Sequence, residues 1–218
     1  LRLPVHSTHP LAHIIQPAQD EHLVYELMPL LNMSFGHHSL RTNSRGLRDS
    51  NEYAYERSAN SVRIVGLGDS GMFGWNLDQD QDYLDILEQN LNNGGRSSRY
   101  EVLNLAVPGY NTQLEVECLE YKGLAYKPDV VILGWCDNDF QLPFFLLEKS
   151  TFSKINMSFL YSLMFSRTNF AEIVMGRKFH DLRDFNPDKV DPHLKEGMDI
   201  SGVEHAMQRL IELSQKNQ

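Results

Sequence analysis

Apolar and polar positions along the chain change their rhythm near residue 60. Beyond that point short apolar runs alternate with amphipathic segments. Val62 to Leu67 is a short, largely apolar run of the kind that forms a strand buried in a parallel sheet. Asp82 to Leu91 then places Tyr83, Leu84, Leu87 and Leu91 on one helical face, and Asn92, Asn93, Gly94 and Gly95 stop that helix. Tyr100 to Val107 (YEVLNLAV) reads as a second strand ending at Pro108-Gly109. Thr112-Gln113-Leu114-Glu115 has the form of a capping box, opening a helix that runs to Leu124. After Pro128, the run from Asp129 to Cys136 predicts a third buried strand. Strands alternating with helices in this way predict an α/β fold, a parallel sheet joined by right-handed crossovers.

The flanks follow the rhythm less well. Residues 1–60 are polar and weakly periodic, and predict an irregular arm with short strands packed beside an α/β domain over 61–218. Leu142 to Met175 is rich in Phe, Leu and Met, which fits either core helices or an apolar wall at a pocket mouth. A second capping box, Ser201-Gly202-Val203-Glu204, predicts a last helix with Val203, Met207, Leu210 and Leu213 turned inward. That helix runs to the end of the sequence, and the expectation is that the α/β domain is incomplete there.

Composition narrows the function classes. With 41% hydrophobic and 22% charged residues, the chain is ordinary for a globular protein. A formal charge of −9, without any lysine-arginine cluster, argues against a nucleic-acid partner. No run reaches the roughly 18 apolar residues that a membrane span needs. Two cysteines, Cys118 and Cys136, lack metal-ligand spacing and read as buried inert thiols. Six of the nine histidines precede Gly46, and the pair His37-His38 has no further ligand at metal-binding spacing, so these read as surface histidines.

The chemistry concentrates after the first strand. Gly66-Leu67-Gly68-Asp69-Ser70-Gly71 matches the G-x-G-x-x-G dinucleotide pattern between a strand and a helix. The acid that would hold a ribose should end the second strand, about 20 residues on, yet that distance falls within the helix at Asp85 or Glu88. A serine reading explains more. A strand-to-helix turn lifts Ser70 above the carboxyl edge of the sheet, and the following helix offers amides and a positive dipole end to a developing oxyanion. Gly68 and Gly71 would let backbone and substrate approach closely. The second and third strands end in Val107-Pro108-Gly109-Tyr110-Asn111-Thr112 and Gly134-Trp135-Cys136-Asp137-Asn138-Asp139, which brings three loops to one edge.

The GDS around Ser70, the AVPGYNT around Gly109 and the NDF around Asn138 resemble the SGNH (GDSL-type) hydrolases, as does the lead-in Asn43-Ser44-Arg45-Gly46-Leu47-Arg48. The resemblance covers Asn43 to Phe140. It implies a three-layer α/β/α sandwich with a flavodoxin-like parallel sheet, no metal or organic cofactor, and acyl-ester hydrolysis or acyl transfer. Ser70 would be the nucleophile. The N–H groups of Ser70 and Gly109 and the side-chain amide of Asn138 would hold the oxyanion. The partner would be a small-molecule, carbohydrate or lipid acyl ester. An extracytoplasmic location follows only from the habit of the family. Asp69 and Asp139 read as loop-fixing acids.

Two departures stand out. Cys136 occupies the glycine position of the family's Gly-x-Asn-Asp motif. The family's Asp-x-x-His is absent after the third motif: of His180, His193 and His205 none has Asp three residues before it, and Asp191-Pro192-His193 is one residue short. The expectation is therefore a chain that is almost inactive by itself. The competing readings are a non-catalytic binding module that lacks the base and, third, a nucleotide-binding oxidoreductase.

Overall fold

The computed structural model describes residues 10–20, 22–93, 98–143, 145–146, 180–181 and 190–217. Its centre is a parallel sheet of β5 (Ser61–Gly68), β6 (Arg99–Asn104) and β7 (Val130–Gly134) in the order β6-β5-β7. Ile64 pairs with Val102 on one side of β5, and Gly68 pairs with Gly134 on the other. All three strands therefore end at the same edge.

Alternation along the strands sets the layers. Ile64 and Val102 face one way and pack with Leu84 of α2 (Tyr83–Asn92). Val65, Leu67 and Leu103 face the other way and pack with Leu114, Val116 and Leu119 of α3 (Thr112–Tyr121). Ala206 and Leu213 of the last helix join that second cluster. The observed architecture is α/β, with helices flanking a parallel sheet.

Before the sheet, β1 (Ile15–Pro17) pairs antiparallel with β2 (Tyr25–Leu27), and β3 (Asn32–Phe35) pairs antiparallel with β4 (His38–Arg41). Leu11, Ile14, Leu23, Tyr25 and Leu27 are buried in the same cluster as Val65 and Leu114. The short strands are thus packed onto the sheet side that carries α3.

Several expectations shift by a residue or a face. The cap of α3 is Asn111, whose side chain accepts from the Leu114 amide, so Thr112 is the first helical residue. The last helix begins at Asp199, two residues before the expected Ser201, and buries Gly202, Ala206 and Leu213, with Val203, Met207 and Leu210 half-buried. β7 is half-exposed where a buried strand was expected, with Val130 45% exposed. It lies at the edge of the sheet among the described residues. The Phe/Leu/Met-rich stretch from Leu142 lies, beyond Pro143, almost wholly outside the described residues.

Candidate active site

Ser70 opens α1 (Ser70–Phe73), a helix of a single turn. Asp69 caps it: Oδ1 accepts from the Gly71 amide at 2.9 Å, and Oδ2 accepts from Ser70 Oγ at 3.3 Å. A helix this short has almost no macrodipole, so the dipole contribution expected for this turn falls away and only its amides remain. Gly74 ends it in the left-handed region at φ +81°.

The glycine pattern proves to be one of packing. A Cβ on Gly66 would lie 2.2 Å from Leu84, and one on Gly68 would lie 2.4 Å from the Cβ of Met72. These two glycines let α2 and α1 settle onto the strand, which needs no phosphate to explain it. Glu88, one of the two acids at ribose distance, instead accepts the Val102 amide at 2.8 Å and meets the Tyr53 hydroxyl at 3.4 Å.

Asn138 lies in the short 3₁₀ turn Asp137–Phe140 after β7. Its Nδ2 donates to Asp69 Oδ2 at 2.9 Å. Ser70 and Asn138 thus meet through one carboxylate oxygen. The Cys136 thiol donates to Asn138 Oδ1, which fixes the face that the amide presents. Burial works against an ionised Asp69, but the Gly71 amide and then the Asn138 amide donate to it and hold its pKa below the ordinary value. Asp69 is therefore a charged acceptor at neutral pH.

Gly109 sits in the loop after β6 with φ +82°. The N-terminal strands grip that loop: Tyr25 donates its hydroxyl to Pro108 O at 3.0 Å, and the Tyr110 hydroxyl donates back to Tyr25 O. Gly109 shares the sheet edge with Ser70 and Asn138, but among the described residues no hydrogen bond joins it to either.

Behind the loops lie two further acids. Asp139 is fully buried and accepts the Cys136 amide at 3.1 Å; burial raises its pKa to about 6. Glu115, on the inner face of α3, is 1% exposed, and neither carboxyl oxygen has a hydrogen-bond partner among the described residues. Burial, then the charges of Asp139 and Asp69, holds its carboxyl well above the usual range.

The histidines lie elsewhere. His193 Nε2 is 2.6 Å from Glu117 Oε1, and Gln113 donates to the His193 carbonyl. Gln113 and Glu117 occupy the opposite side of α3 from Glu115, because residues two apart on a helix point in nearly opposite directions. His193 is thus engaged across the helix from the Asp69 cluster, as a packing histidine would be. His205 is exposed on the last helix. Among the described residues no histidine hydrogen-bonds Ser70, and no group of three or more His, Cys, Asp or Glu is arranged to hold a metal.

Sequence reasoning missed three contributors. Cys136 is half-buried against Asn138, where an inert buried thiol was expected; burial and then Asp69 push its pKa up to about 12, so it stays a protonated donor. Cys118 is the buried thiol of the pair. Glu115 looked like half of a capping box, and its register in that box hid an inward carboxylate. Arg48 was visible only as the end of a motif.

No protein-family model and no curated protein matches the chain. Among solved structures, the chain is similar to AlinE4, an SGNH-hydrolase family esterase, at 18% identity over 73% of this chain and 75% of that one, with a TM-score of 0.34. It is also similar to TesA, at 16% identity over 70% of this chain and 74% of that one, again with a TM-score of 0.34.

Proposed function

We propose that the chain is the core of an SGNH-type serine hydrolase acting on acyl esters through an acyl-enzyme on Ser70. The observation that carries this reading is the convergence of Ser70 and Asn138 on Asp69 Oδ2 at the carboxyl edge of the parallel sheet. In the reaction, Ser70 Oγ would attack the ester carbonyl. The developing oxyanion would take hydrogen bonds from the Ser70 and Gly109 N–H groups and from Asn138 Nδ2. An amide has two such protons; one is spent on Asp69, which leaves the other for substrate. Asp69 holds the donor and the nucleophile in register, and is a loop-fixing acid rather than the base.

Deacylation by water gives hydrolysis, and deacylation by a sugar hydroxyl gives acyl transfer. The residues are consistent with both. A base remains to be supplied, because no described histidine bonds Ser70. The unassisted chain would then retain about 10³-fold catalysis over water, by analogy with serine hydrolases that lack their base. That same observation favours the second reading, a binding module that keeps the pocket without turnover.

The test is hydrolysis of p-nitrophenyl acetate and of longer acyl esters by the purified chain, with Ser70→Ala and Asn138→Ala beside it. Slow turnover abolished by Ser70→Ala and lowered ~10²–10³-fold by Asn138→Ala is the expected result. Turnover at normal esterase rates would overturn the missing base. Activity unchanged in Ser70→Ala would overturn the nucleophile.

A further inference from the structure

The Asn43–Arg48 segment precedes the sheet, and its last side chain ends beneath the serine turn. Arg48 is 1% exposed. Its Nη1 donates to the carbonyls of Phe73 and Gly74, the latter at 2.7 Å. Its Nη2 donates to Leu77 O at 2.9 Å and to Asp78 O at 3.3 Å. The guanidinium lies over the Phe73 ring, 4.7 Å from its centroid. Its Nε points toward Asp82 Oδ2 at 3.9 Å, and Asp82 caps α2 through the Leu84 and Asp85 amides.

A one-turn helix cannot satisfy its own carbonyls, because the last four in any helix lack an internal partner. In α1 those four are all it has. Ser70 O takes the Trp75 amide at 3.0 Å, and Gly71 O takes the Gly74 amide at 3.2 Å. Met72 O takes Asn104 Nδ2 at 3.4 Å, and Phe73 O takes Arg48. The turn that presents Ser70 is therefore held from outside at both ends, by Asp69 in front and by Arg48 behind. Gly74 fits the same device: a Cβ there would lie 2.4 Å from Arg48 Nη1 and 2.5 Å from the Asp82 Cβ.

We propose that Arg48 is a positioning residue for Ser70, its planar fork fixing the far end of α1 so that the serine is presented to substrate at one angle and height. The proposal rests on the hydrolase reading for what the positioning serves, but the geometry it describes does not depend on it. Arg48 lies under α1 and reaches no group expected to touch substrate, so it would act on turnover rather than on substrate affinity. A lysine cannot replace it, because an ammonium is a point donor and cannot serve four carbonyls spread over Phe73 to Asp78.

The experiment compares Arg48→Lys with Arg63→Lys, a second fully buried arginine at the opposite edge of the sheet. Both variants are expected to melt below wild type, so the measurements are made well below either Tm. Hydrogen exchange of the Phe73, Gly74 and Trp75 amides is expected to accelerate about tenfold or more in Arg48→Lys and to stay at the wild-type rate in Arg63→Lys. The rate of Ser70 labelling by a fluorophosphonate, and kcat on p-nitrophenyl acetate, are expected to fall at least tenfold in Arg48→Lys with KM unchanged. Arg63→Lys should leave both near wild type. Exchange at 73–75 unchanged in Arg48→Lys, or accelerated equally by Arg63→Lys, would overturn the proposal. Wild-type protein that neither labels nor turns over, with exchange still accelerated only in Arg48→Lys, would retire the hydrolase reading and leave the positioning of the turn standing.

Discussion

The two edges of the parallel sheet handle buried charge in opposite ways. At the edge where the strands begin, Arg63 of β5 is 1% exposed and fully engaged. Its Nε donates to Glu101 Oε2 at 2.7 Å on the neighbouring strand, in register with it. Its other nitrogens donate to the carbonyls of Tyr55, Tyr126 and Ala54. Asp129, at the start of β7, accepts the Arg63 amide at 2.8 Å. At the edge where the strands end, Asp69, Asp139 and Glu115 are all buried with no arginine or lysine bonded to them among the described residues. One edge spends its charge on holding strands together. The other keeps like charges close, at a cost to stability that a purely structural edge would not need. Perturbed carboxylates gather at functional sites, so this asymmetry fits the hydrolase reading proposed for the serine edge.

The comparison breaks most visibly at Arg63. Arg63→Ala would leave Glu101 buried without its partner and three carbonyls without a donor. The expected loss is roughly 3–5 kcal/mol, read as a lower urea midpoint. If most of that loss is the uncompensated Glu101 carboxylate rather than the three carbonyls left without a donor, the double variant Arg63→Met, Glu101→Leu should recover much of it. A double variant as unstable as Arg63→Ala would mean that the pair contributes something packing cannot replace.

The acidic edge is sharpened by pH. Asp139 has its pKa raised from 3.8 to about 6 in the folded chain, and burial raises Glu115 as well. The folded state therefore binds these protons more tightly than the unfolded chain does. The Asp139 contribution is complete below pH ~4 and drains away as pH rises through 6, and Glu115 acts in the same direction. For Asp139 the loss is roughly 3 kcal/mol in all, at about 1.4 kcal/mol for each pKa unit. The chain is thus expected to melt higher near pH 5 than near pH 8. Asp139→Asn and Glu115→Gln should each flatten that slope and raise the melting temperature at pH 8. A melting temperature that climbs from pH 5 to pH 8 in the wild type would contradict the buried-acid picture.

How much of this was legible beforehand follows from how local each feature is. The strands of the sheet and the loops that carry Ser70, Gly109 and Asn138 follow from apolar runs and turn residues, which act over a few neighbours. The length of α1 does not, because Gly74 stops it only where Arg48 and Asp82 leave no room for a Cβ. Asn111 and Thr112 are both good caps, and only the register of the helix against the sheet chooses between them. Half-exposure of β7 depends on what covers the edge, which no periodicity records. Glu115 is the sharpest case: the sequence pattern places an acid in a helix's first turn, where it is ordinarily solvated and favourable. Here the same residue faces the Asp69 and Asp139 carboxylates, because α3 packs on the sheet face and its first turn lies at the carboxyl edge.

The smallest expected effect returns to the first edge. Lys127 and Glu56 form an ion pair at 3.0 Å, with side chains 61% and 86% exposed. Water screens that pair, and ordering two long side chains offsets most of its attraction. Lys127→Ala should therefore leave the urea midpoint nearly unchanged, although it removes the same kind of contact as Arg63→Ala. The backbone at Lys127 is left-handed, with φ +53°, and alanine keeps that strain as it stands. Lys127→Gly relieves the strain but frees the unfolded chain, so it too should move the midpoint little. A drop in Lys127→Ala comparable to that in Arg63→Ala would mean that charge at this edge acts through number rather than burial. The contrast between the two edges would then have to be drawn from total charge instead of from which groups are bonded.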